Sequence, residues 1–382
     1  MHPEAHVTHL TKCHSNHCPV LLETTPSRTL QRPRAFVFQS FWLSDSSFPR
    51  IVSSAWQSSY SLEGAFETFA DKATKWNKDN FGNIFVKNRR IMARLNGVQR
   101  IVASSPSASL LQLESRLQAE LENVLDHEQE LWALKSRINL IVQGDHNASF
   151  FHLSTLVRRK RNKIIAIKDK MGNWILEERD IATFIQKGFE DIYYSSHVAS
   201  PIHLSPISQW QASLSDEVHD GLSHKVTDDE IKAALWSMKA FKAPELNGLH
   251  AGFFQCFLLI IGSFVREEVK KIFRDKRMPK YLNKTHISLI PKVQGPESFS
   301  NYRPISLCNS VYKIITKIIV ARLRPHLNQV ISPFQTAFVP DRKGIDNAII
   351  VQELIHTISR AKGKEGYMVI KVDLEKAYDK LE

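Results

Sequence analysis

The sequence has few cysteines, no apolar run long enough to cross a bilayer, and fewer acidic than basic residues. Its 4 cysteines are scattered over 382 residues, which does not suit a disulfide framework and favours a reducing compartment. The longest apolar run, from Phe253 to Val265, is too short for a membrane span and contains Gln255. The N-terminus lacks a basic-then-apolar signal pattern. We therefore expect a soluble intracellular protein without a membrane partner.

What is present is an excess of positive charge. The chain has 51 Lys and Arg against 39 Asp and Glu, which gives a formal net charge of +12. Such a surplus suits a polyanionic partner, of which nucleic acid is the commonest, but it also fits a solvated basic surface. A basic cluster at 158–163 is our candidate for phosphate contacts. Its cations are Arg158, Arg159, Lys160, Arg161 and Lys163.

Hydrophobic periodicity predicts helices in the first half of the chain. We interpret Ser105 as an N-cap and Pro106 as the first helical residue, after which leucines recur at three- and four-residue steps as far as Leu134. This leucine stripe predicts a long amphipathic helix that packs within the chain or, alternatively, in a coiled coil. Residues 195–215 are rich in Ser, Pro and His and are interpreted as a linker or long loop.

From Thr227 onward the pattern mixes helices with strands. We predict helices over 228–238 and 253–277, strands over 284–290 and 301–307, a further helix that Ser310 caps, and another that Asp346 starts. In the last of these helices, Ile350, Leu354 and Ile358 should face inward. Alternating apolar residues from 368 to 372 then form one face of a strand that ends at Asp373. These elements predict an α+β fold.

Asp373 is placed where a carboxylate can do chemistry. A strand holds its last residue rigidly, and the turn that follows leaves an open approach. Mg²⁺ prefers hard oxygen ligands of this kind together with substrate phosphates. The alternative is that Asp373 caps the helix that follows, as aspartates commonly do. Pattern alone leaves both interpretations open.

Several segments resemble, in the same order, the reverse transcriptases of non-LTR (LINE-type) retrotransposons, especially those of plants. The segment 372–379, Val-Asp-Leu-Glu-Lys-Ala-Tyr-Asp, resembles their motif A. Upstream, 287–292 and 301–307 resemble the fingers segments, and 334–342 resembles the next block. The segment 242–248 is similar to the block that opens the polymerase region, although the family's usual Pro-Gly-Pro-Asp-Gly is altered. The resemblance implies a helical connector followed by the fingers and first part of a right-hand polymerase.

The resemblance also implies roles for individual residues. Asp373 would bind two Mg²⁺ ions, one of which the Leu374 carbonyl would also touch, for in-line nucleotide transfer. Tyr378 would exclude ribonucleotides by occupying the space that a 2′-hydroxyl needs. Lys292 and Arg303 would contact the triphosphate, Arg303 through its fork geometry. The implied partners are an RNA template, a DNA primer and dNTPs.

The same resemblance predicts the domain organisation. Residues 1–33 would be the C-terminal remnant of an endonuclease domain, with His17 in place of its general base and Asn16 where that family has Asp. Residues 34–226 would form a mostly helical connector, and 227–382 the fingers and partial palm. The family's second carboxylate motif, Tyr-Ala-Asp-Asp, is not in the sequence, so we expect the chain as it stands not to polymerise. The family works in the nucleus and cytoplasm; the oligomeric state is left open.

Three alternatives stay open. A non-catalytic protein could bind nucleic acid through the basic cluster, and such binding would be salt-sensitive and would survive Asp373→Ala. A relic without a selected function is the second, since a partial palm would leave a sheet edge unpaired. The third is a zinc module, although tetrahedral sites usually draw on two separated pairs of ligands. Its candidate ligands are Cys13, His14, His17 and Cys18.

Overall fold

A computed structural model describes residues 6–9, 20–23, 35–136, 148–193, 214–332, 335–336, 339–360 and 368. The chain divides into two compact units, Met1–Phe36 and Val37–Glu382. In the first unit, β1 (His6–His9) pairs antiparallel with β2 (Val20–Glu23). The division into endonuclease remnant, connector and polymerase is not tested by this structure and stays a prediction.

The second unit is mainly helical, with two short antiparallel strand pairs in its described part, which confirms the α+β prediction. Its helices are α1 (Phe48–Gln57), α2 (Leu62–Asn80), α3 (Ile84–Ser104), α4 (Ala108–Ser136), α5 (Ala148–Asn162), α6 (Glu178–Tyr193), α7 (Asp216–Ser223), α8 (Asp228–Trp236), α9 (Ala251–Cys256), α10 (Leu258–Asp275), α11 (Lys280–Asn283), α12 (Ser310–Leu323), α13 (Leu327–Val330) and α14 (Gly344–Arg360). Its strands are β3 (Ile167–Lys168), β4 (Trp174–Ile175), β5 (His286–Pro291) and β6 (Tyr302–Leu307). Over the described ranges, none of these helices has both the length and the apolarity to cross a membrane.

An aromatic core joins the first helices to the segment around residue 250. The ring of Phe253 lies 4.9 Å from that of Phe69 and 5.3 Å from that of Phe38, measured between centroids. The backbone N–H of Phe38 also donates to the Gly248 carbonyl at 3.0 Å. Large buried rings dominate the energetics of a core, so this cluster fastens α1 and α2 to α9. Other buried members are Trp42, Phe48, Trp56 and Trp76.

The leucine stripe packs within the chain. Leu117 and Val124 of α4 are buried against Ile91 and Leu95 of α3. These side chains form the apolar seam between the two helices. Intrachain packing, rather than a coiled coil with another chain, therefore accounts for the stripe in this structure.

The predicted start of that helix is wrong by two residues. Ser105 ends α3, because its backbone N–H donates to the Ile101 carbonyl at 2.7 Å. The Ser107 hydroxyl instead accepts from the backbone N–H of Leu110 at 3.3 Å, and α4 begins at Ala108. A serine two residues further along satisfies the first free N–H groups of the helix, which periodicity alone does not reveal.

Two other helix predictions need correction. The single helix expected over 253–277 is two helices, because Phe257 leaves helical geometry (φ −108°, ψ 17°) while its ring packs in the aromatic core. Core packing overrides local helix propensity at this position. In the helix expected at Ser310, the N-cap is Asn309, whose side chain accepts from the backbone N–H of Val311 at 2.9 Å.

Helix α14 begins at Gly344, two residues before the predicted start, and two of the three residues predicted to face inward are exposed, whereas Ile358 is half-buried. Ile350 is 46% exposed and Leu354 is 47% exposed. The prediction that these side chains are buried is therefore wrong for this structure. Periodicity identifies the apolar side of a helix but does not supply an element that covers it.

Candidate nucleotide and nucleic-acid site

The two segments that resemble the fingers segments form an antiparallel hairpin, β5–β6, in which Ile290 lies opposite Arg303. One side of the hairpin is packed: Tyr302 is 4% exposed and contacts the cluster of Ile167 and Ile181. Successive side chains of a strand point to opposite faces, so the neighbours of Tyr302 and of its partner Pro291 along each strand belong to the other face. The hairpin is thus supported from behind and open in front. Exposed residues of the open face are His286, Ser288, Ile290, Arg303 and Ile305.

Arg303 and Lys292 differ in what holds their side chains. Arg303 is exposed on β6, and in the described part of the chain no hydrogen bond or ion pair engages its guanidinium. Lys292 Nζ donates to the Ser300 carbonyl at 2.9 Å, and its backbone N–H donates to the Asn301 carbonyl at 2.8 Å. Lys292 therefore closes the end of the hairpin, whereas Arg303 can receive an anionic group.

The basic cluster lies at the C-terminal end of α5, and its first member has a structural role. Arg158 Nη1 donates to the Ser136 carbonyl at 2.6 Å, and Nη2 donates to the Lys135 carbonyl. These carbonyls end α4, where free acceptors and the helix dipole favour a cation. Arg158 thus fastens α5 to α4. The cations that follow it are exposed: Arg159, Lys160, Arg161 and Lys163.

The fold brings the basic cluster beside the hairpin. Arg161 lines a cleft of about 440 Å³ together with the hairpin segment that runs from Pro291 to Pro296. In the sequence these parts are far apart, and no periodicity links them. Cations gathered on one side of a cleft raise the local positive potential, which attracts phosphates. Arg161 therefore places one exposed cation of the basic cluster at the end of the β5–β6 hairpin.

The predicted catalytic residues lie outside the described residues. This holds for Asp373, Leu374 and Tyr378, and also for His17 and the zinc candidates at 13–18. Their roles stay predictions. Among the residues that the structure describes, no group of three or more His, Cys, Asp or Glu is placed to hold a metal ion.

Glu245, in the altered block at 242–248, is buried against the start of α12. Its Oε2 accepts from the Ser310 backbone N–H at 2.5 Å, and its Oε1 accepts from the Ser310 hydroxyl at 2.6 Å and from Lys313 Nζ at 3.2 Å. Burial raises the pKa of Glu245, and Lys313 and Ser310 oppose that rise. The residue positions this block on α12. In the sequence alone, Glu245 is visible only as part of the block's departure from the family pattern.

An ion pair that no local sequence pattern predicts joins α8 to α12. Arg322 Nε donates to Glu230 Oε1 at 2.7 Å, and Nη2 donates to Oε2 at 2.9 Å. The hydrogen bond from Arg322 is the main cause that lowers the pKa of Glu230 to about 2. One half of this arrangement is visible in the sequence, since Thr227 and Glu230 form a capping box. Its partner 92 residues later gives no local signal.

Two comparisons with known proteins point to reverse transcriptases and transposons. Residues 290–382, which begin on β5, match the family model described as "Reverse transcriptase (RNA-dependent DNA polymerase)". Over 385 aligned residues the chain is 24% identical to the "Transposon TX1 uncharacterized 149 kDa protein" of Xenopus laevis. The alignment covers 96% of this chain and 29% of that protein. The chain thus spans less than a third of that relative's length. These matches and the ordered motifs support the resemblance to a reverse transcriptase fragment of a non-LTR retrotransposon.

Proposed function

We propose that this chain provides the fingers and the first catalytic strand of an RNA-directed DNA polymerase, and that the open face of β5–β6 contacts the triphosphate of an incoming dNTP. The observation that carries the proposal is the exposed guanidinium of Arg303 on a hairpin whose other face is packed. An Arg guanidinium matches phosphate oxygens in a two-pronged geometry. A rigid support reduces the cost of ordering such a contact.

The exposed cations of α5 support a template or primer contact next to this face. Arg161 lies at the hairpin cleft, and Arg159 and Lys163 are exposed beside it in sequence. Cations of this kind neutralise phosphates and release counterions, which gives binding that is strong at low salt and independent of sequence. We assign the RNA template and DNA primer to this surface, and dNTPs to the hairpin.

The chemistry itself would depend on residues known here only from the motif. Polymerases of this family generally use divalent metal ions, and Mg²⁺, when bound, would stabilise negative charge on the triphosphate. Asp373 and the Leu374 carbonyl are the proposed ligands from this chain. Tyr378 is proposed to select deoxyribose by leaving no room for a 2′-hydroxyl.

The decisive experiment measures dTTP affinity in the presence of an oligo(dT)-primed poly(rA) template. Arg303→Ala should weaken dTTP binding about tenfold or more, since a charge-assisted contact contributes about 1.5–3 kcal/mol. Arg303→Lys should recover part of the loss, because the charge remains but the fork does not. Lys239→Ala removes an exposed cation outside the hairpin and should leave dTTP affinity unchanged. Equal dTTP affinity in Arg303→Ala and the unmodified chain would overturn the proposal.

A second candidate function is nucleic-acid binding without polymerisation. The exposed end of α5 favours it, because this surface needs no metal and no nucleotide to bind phosphates. RNA binding that is unchanged in Asp373→Ala, without dNTP incorporation, is the result expected from this function. Template-dependent incorporation that disappears in Asp373→Ala would contradict it, together with the sequence-based expectation that the chain as it stands does not polymerise.

A further inference from the structure

A second cavity, of about 830 Å³, lies away from the hairpin, between the segment after α7, the end of α10 and the end of α12. Its apolar lining is mostly aliphatic, and Ile319 and Leu323 of α12 are 41% and 39% exposed there. Apolar side chains exposed in a concave surface mark a place where another apolar group can be buried. The remaining apolar lining residues are Leu222, Val226 and Phe273.

The lining of this cavity is also strongly cationic. Arg322 is held by Glu230, Lys270 lies 2.5 Å from an Asp228 oxygen, and Arg274 lies 3.0 Å from an Asp275 oxygen. Two further lining cations, Lys225 and Lys276, are exposed and have no carboxylate within ion-pair distance among the described residues. The cavity therefore combines an apolar interior with two cations that lack a counter-charge in the described part of the protein.

An acidic peptide fits this combination better than a nucleic acid does. Single-stranded nucleic acid binds by stacking bases on aromatic faces. Among the described lining residues, Phe273 is the one Phe, Tyr or Trp, and its ring already lies against the Arg322 guanidinium, with Cζ 5.8 Å from the ring centroid. The His224 ring also lines the cavity, and its Nε2 lies 3.2 Å from Arg322 Nη2. Aliphatic walls favour a large apolar side chain, which is a common anchor of peptide recognition. Lys225 and Lys276 then offer charge complementarity to carboxylates on either side of the anchor.

We propose that this cavity docks an acidic peptide segment of a partner protein, which buries one large apolar side chain in the cavity and places carboxylates beside Lys225 and Lys276. The site is separate from the proposed polymerase contacts and does not depend on them. Its ligand is defined by chemistry: an apolar anchor flanked by Asp or Glu.

The test uses a short fluorescein-labelled peptide that carries one central Leu, with Asp and Glu at its other positions, and follows its anisotropy on the full chain. Lys225→Glu combined with Lys276→Glu should weaken binding about tenfold or more, since like charges then face each other. Leu323→Asp should do the same, and its partial exposure makes it compatible with folding. Lys239→Glu is the control, because this exposed lysine does not line the cavity and should not change the affinity.

Two results would overturn the proposal. One is peptide affinity that is equal in the unmodified chain and in the lining variants. The other is a short single-stranded RNA that binds more tightly than the peptide and loses affinity in the same variants, because the cavity would then be a nucleic-acid site. The dTTP measurement on Arg303 is independent of either result, so the two proposals can fail separately.

Discussion

The imidazole of His250 is buried among aromatic rings, and within the described part of the chain neither of its nitrogens has a hydrogen-bond partner. Its ring centroid lies 5.1 Å from that of Phe38 and 5.0 Å from that of Phe241. Burial lowers the pKa of His250 from 6.5 to about 4, because the charged form cannot be solvated there. The unfolded chain therefore binds a proton more readily than the folded one between these two values. The contribution of neutral His250 to the unfolding free energy is fully present above pH 6.5 and is lost as the pH falls toward 4.

Replacement of this histidine should remove that acid sensitivity. We expect His250→Leu, a change of similar volume, to abolish a loss of about 2 kcal/mol in unfolding free energy between pH 7 and pH 5. At neutral pH the variant should be at least as stable, since two unsatisfied buried nitrogens disappear. Urea unfolding at the two pH values measures both effects. An unchanged pH dependence in His250→Leu would show that another group causes the acid sensitivity.

The hydrogen-bonding geometry of the Arg322 guanidinium should contribute more to the unfolding free energy than its positive charge alone. Besides the pair with Glu230, its Nη1 donates to the carbonyls of Leu222 at 3.0 Å and His224 at 2.9 Å. A lysine cannot make this set of bonds, so Arg322→Lys should lower the unfolding free energy by about 1–3 kcal/mol. Arg324→Lys, at an exposed position nearby, should leave it unchanged.

The pH dependence gives this prediction a second measurement. Because the pKa of Glu230 is lowered to about 2, the pair stabilises the fold fully above the ordinary value of 4.5 and progressively less as the pH falls to 2. Denaturant unfolding between pH 6 and pH 3 should therefore show a smaller decrease in Arg322→Lys than in the unmodified chain. Equal decreases in both proteins would contradict the assignment.

These residues also show how far sequence reasoning reaches. The capping box of Thr227 and Glu230 can be read locally, but Arg322 meets it only through the fold. The same limit applies to the site: Arg303 lies exposed on the predicted strand, while the use of Lys292 to close the hairpin depends on the Ser300 carbonyl across the turn. Sequence patterns predict which side chains occupy an element, and tertiary contacts decide which remain available.

At the scale of elements, a glycine fixes the approach of α9 to the chain before it. A Cβ on Gly252 would lie 2.9 Å from Phe241 Cε1 and 3.1 Å from the Ala240 carbonyl oxygen. The backbone N–H of Gly252 donates to that same carbonyl at 2.7 Å, so the two segments cannot separate without losing this bond. The close contact therefore requires a residue without a side chain.

We expect Gly252→Ala to lower the unfolding free energy by about 1–3 kcal/mol, because the methyl group overpacks this contact. Gly97→Ala is the matched control. Gly97 lies inside α3, where an added Cβ meets nothing within 4 Å. There the same substitution should stabilise the protein by about 1 kcal/mol through helix propensity. Urea unfolding should give opposite signs for the two variants, and equal signs would refute the packing argument.

The elements themselves were mostly predictable, and their ends were not. The strands at β5 and β6 and the long helix α4 follow from alternation and from the leucine stripe. The break at Phe257 does not, since its ring packs with Phe253 and Phe48 from distant parts of the chain. Local patterns predict whether an element is a helix or a strand. Its first and last residues depend on caps and core contacts that the pattern does not contain.

On the scale of the whole molecule, the positive charge can act in two different ways. With a formal net charge of +12, the chain attracts any polyanion, wherever its cations lie. The end of α5, in contrast, concentrates exposed cations beside the fingers hairpin. Only the second arrangement gives specific phosphate contacts that a few substitutions can remove. The salt dependence of RNA binding distinguishes the two.

We expect the logarithm of RNA affinity to fall linearly with the logarithm of salt concentration, with a slope of about 0.7 per phosphate contact on a single strand. The triple variant of Arg159, Arg161 and Lys163 to Ala should reduce that slope by about 2. A control triple with the same loss of charge replaces other exposed lysines and should reduce it much less; its positions are Lys232, Lys239 and Lys284. Fluorescence anisotropy with a labelled RNA over a salt series measures both slopes. If the two triples reduce the slope equally, overall charge and not the end of α5 binds the RNA.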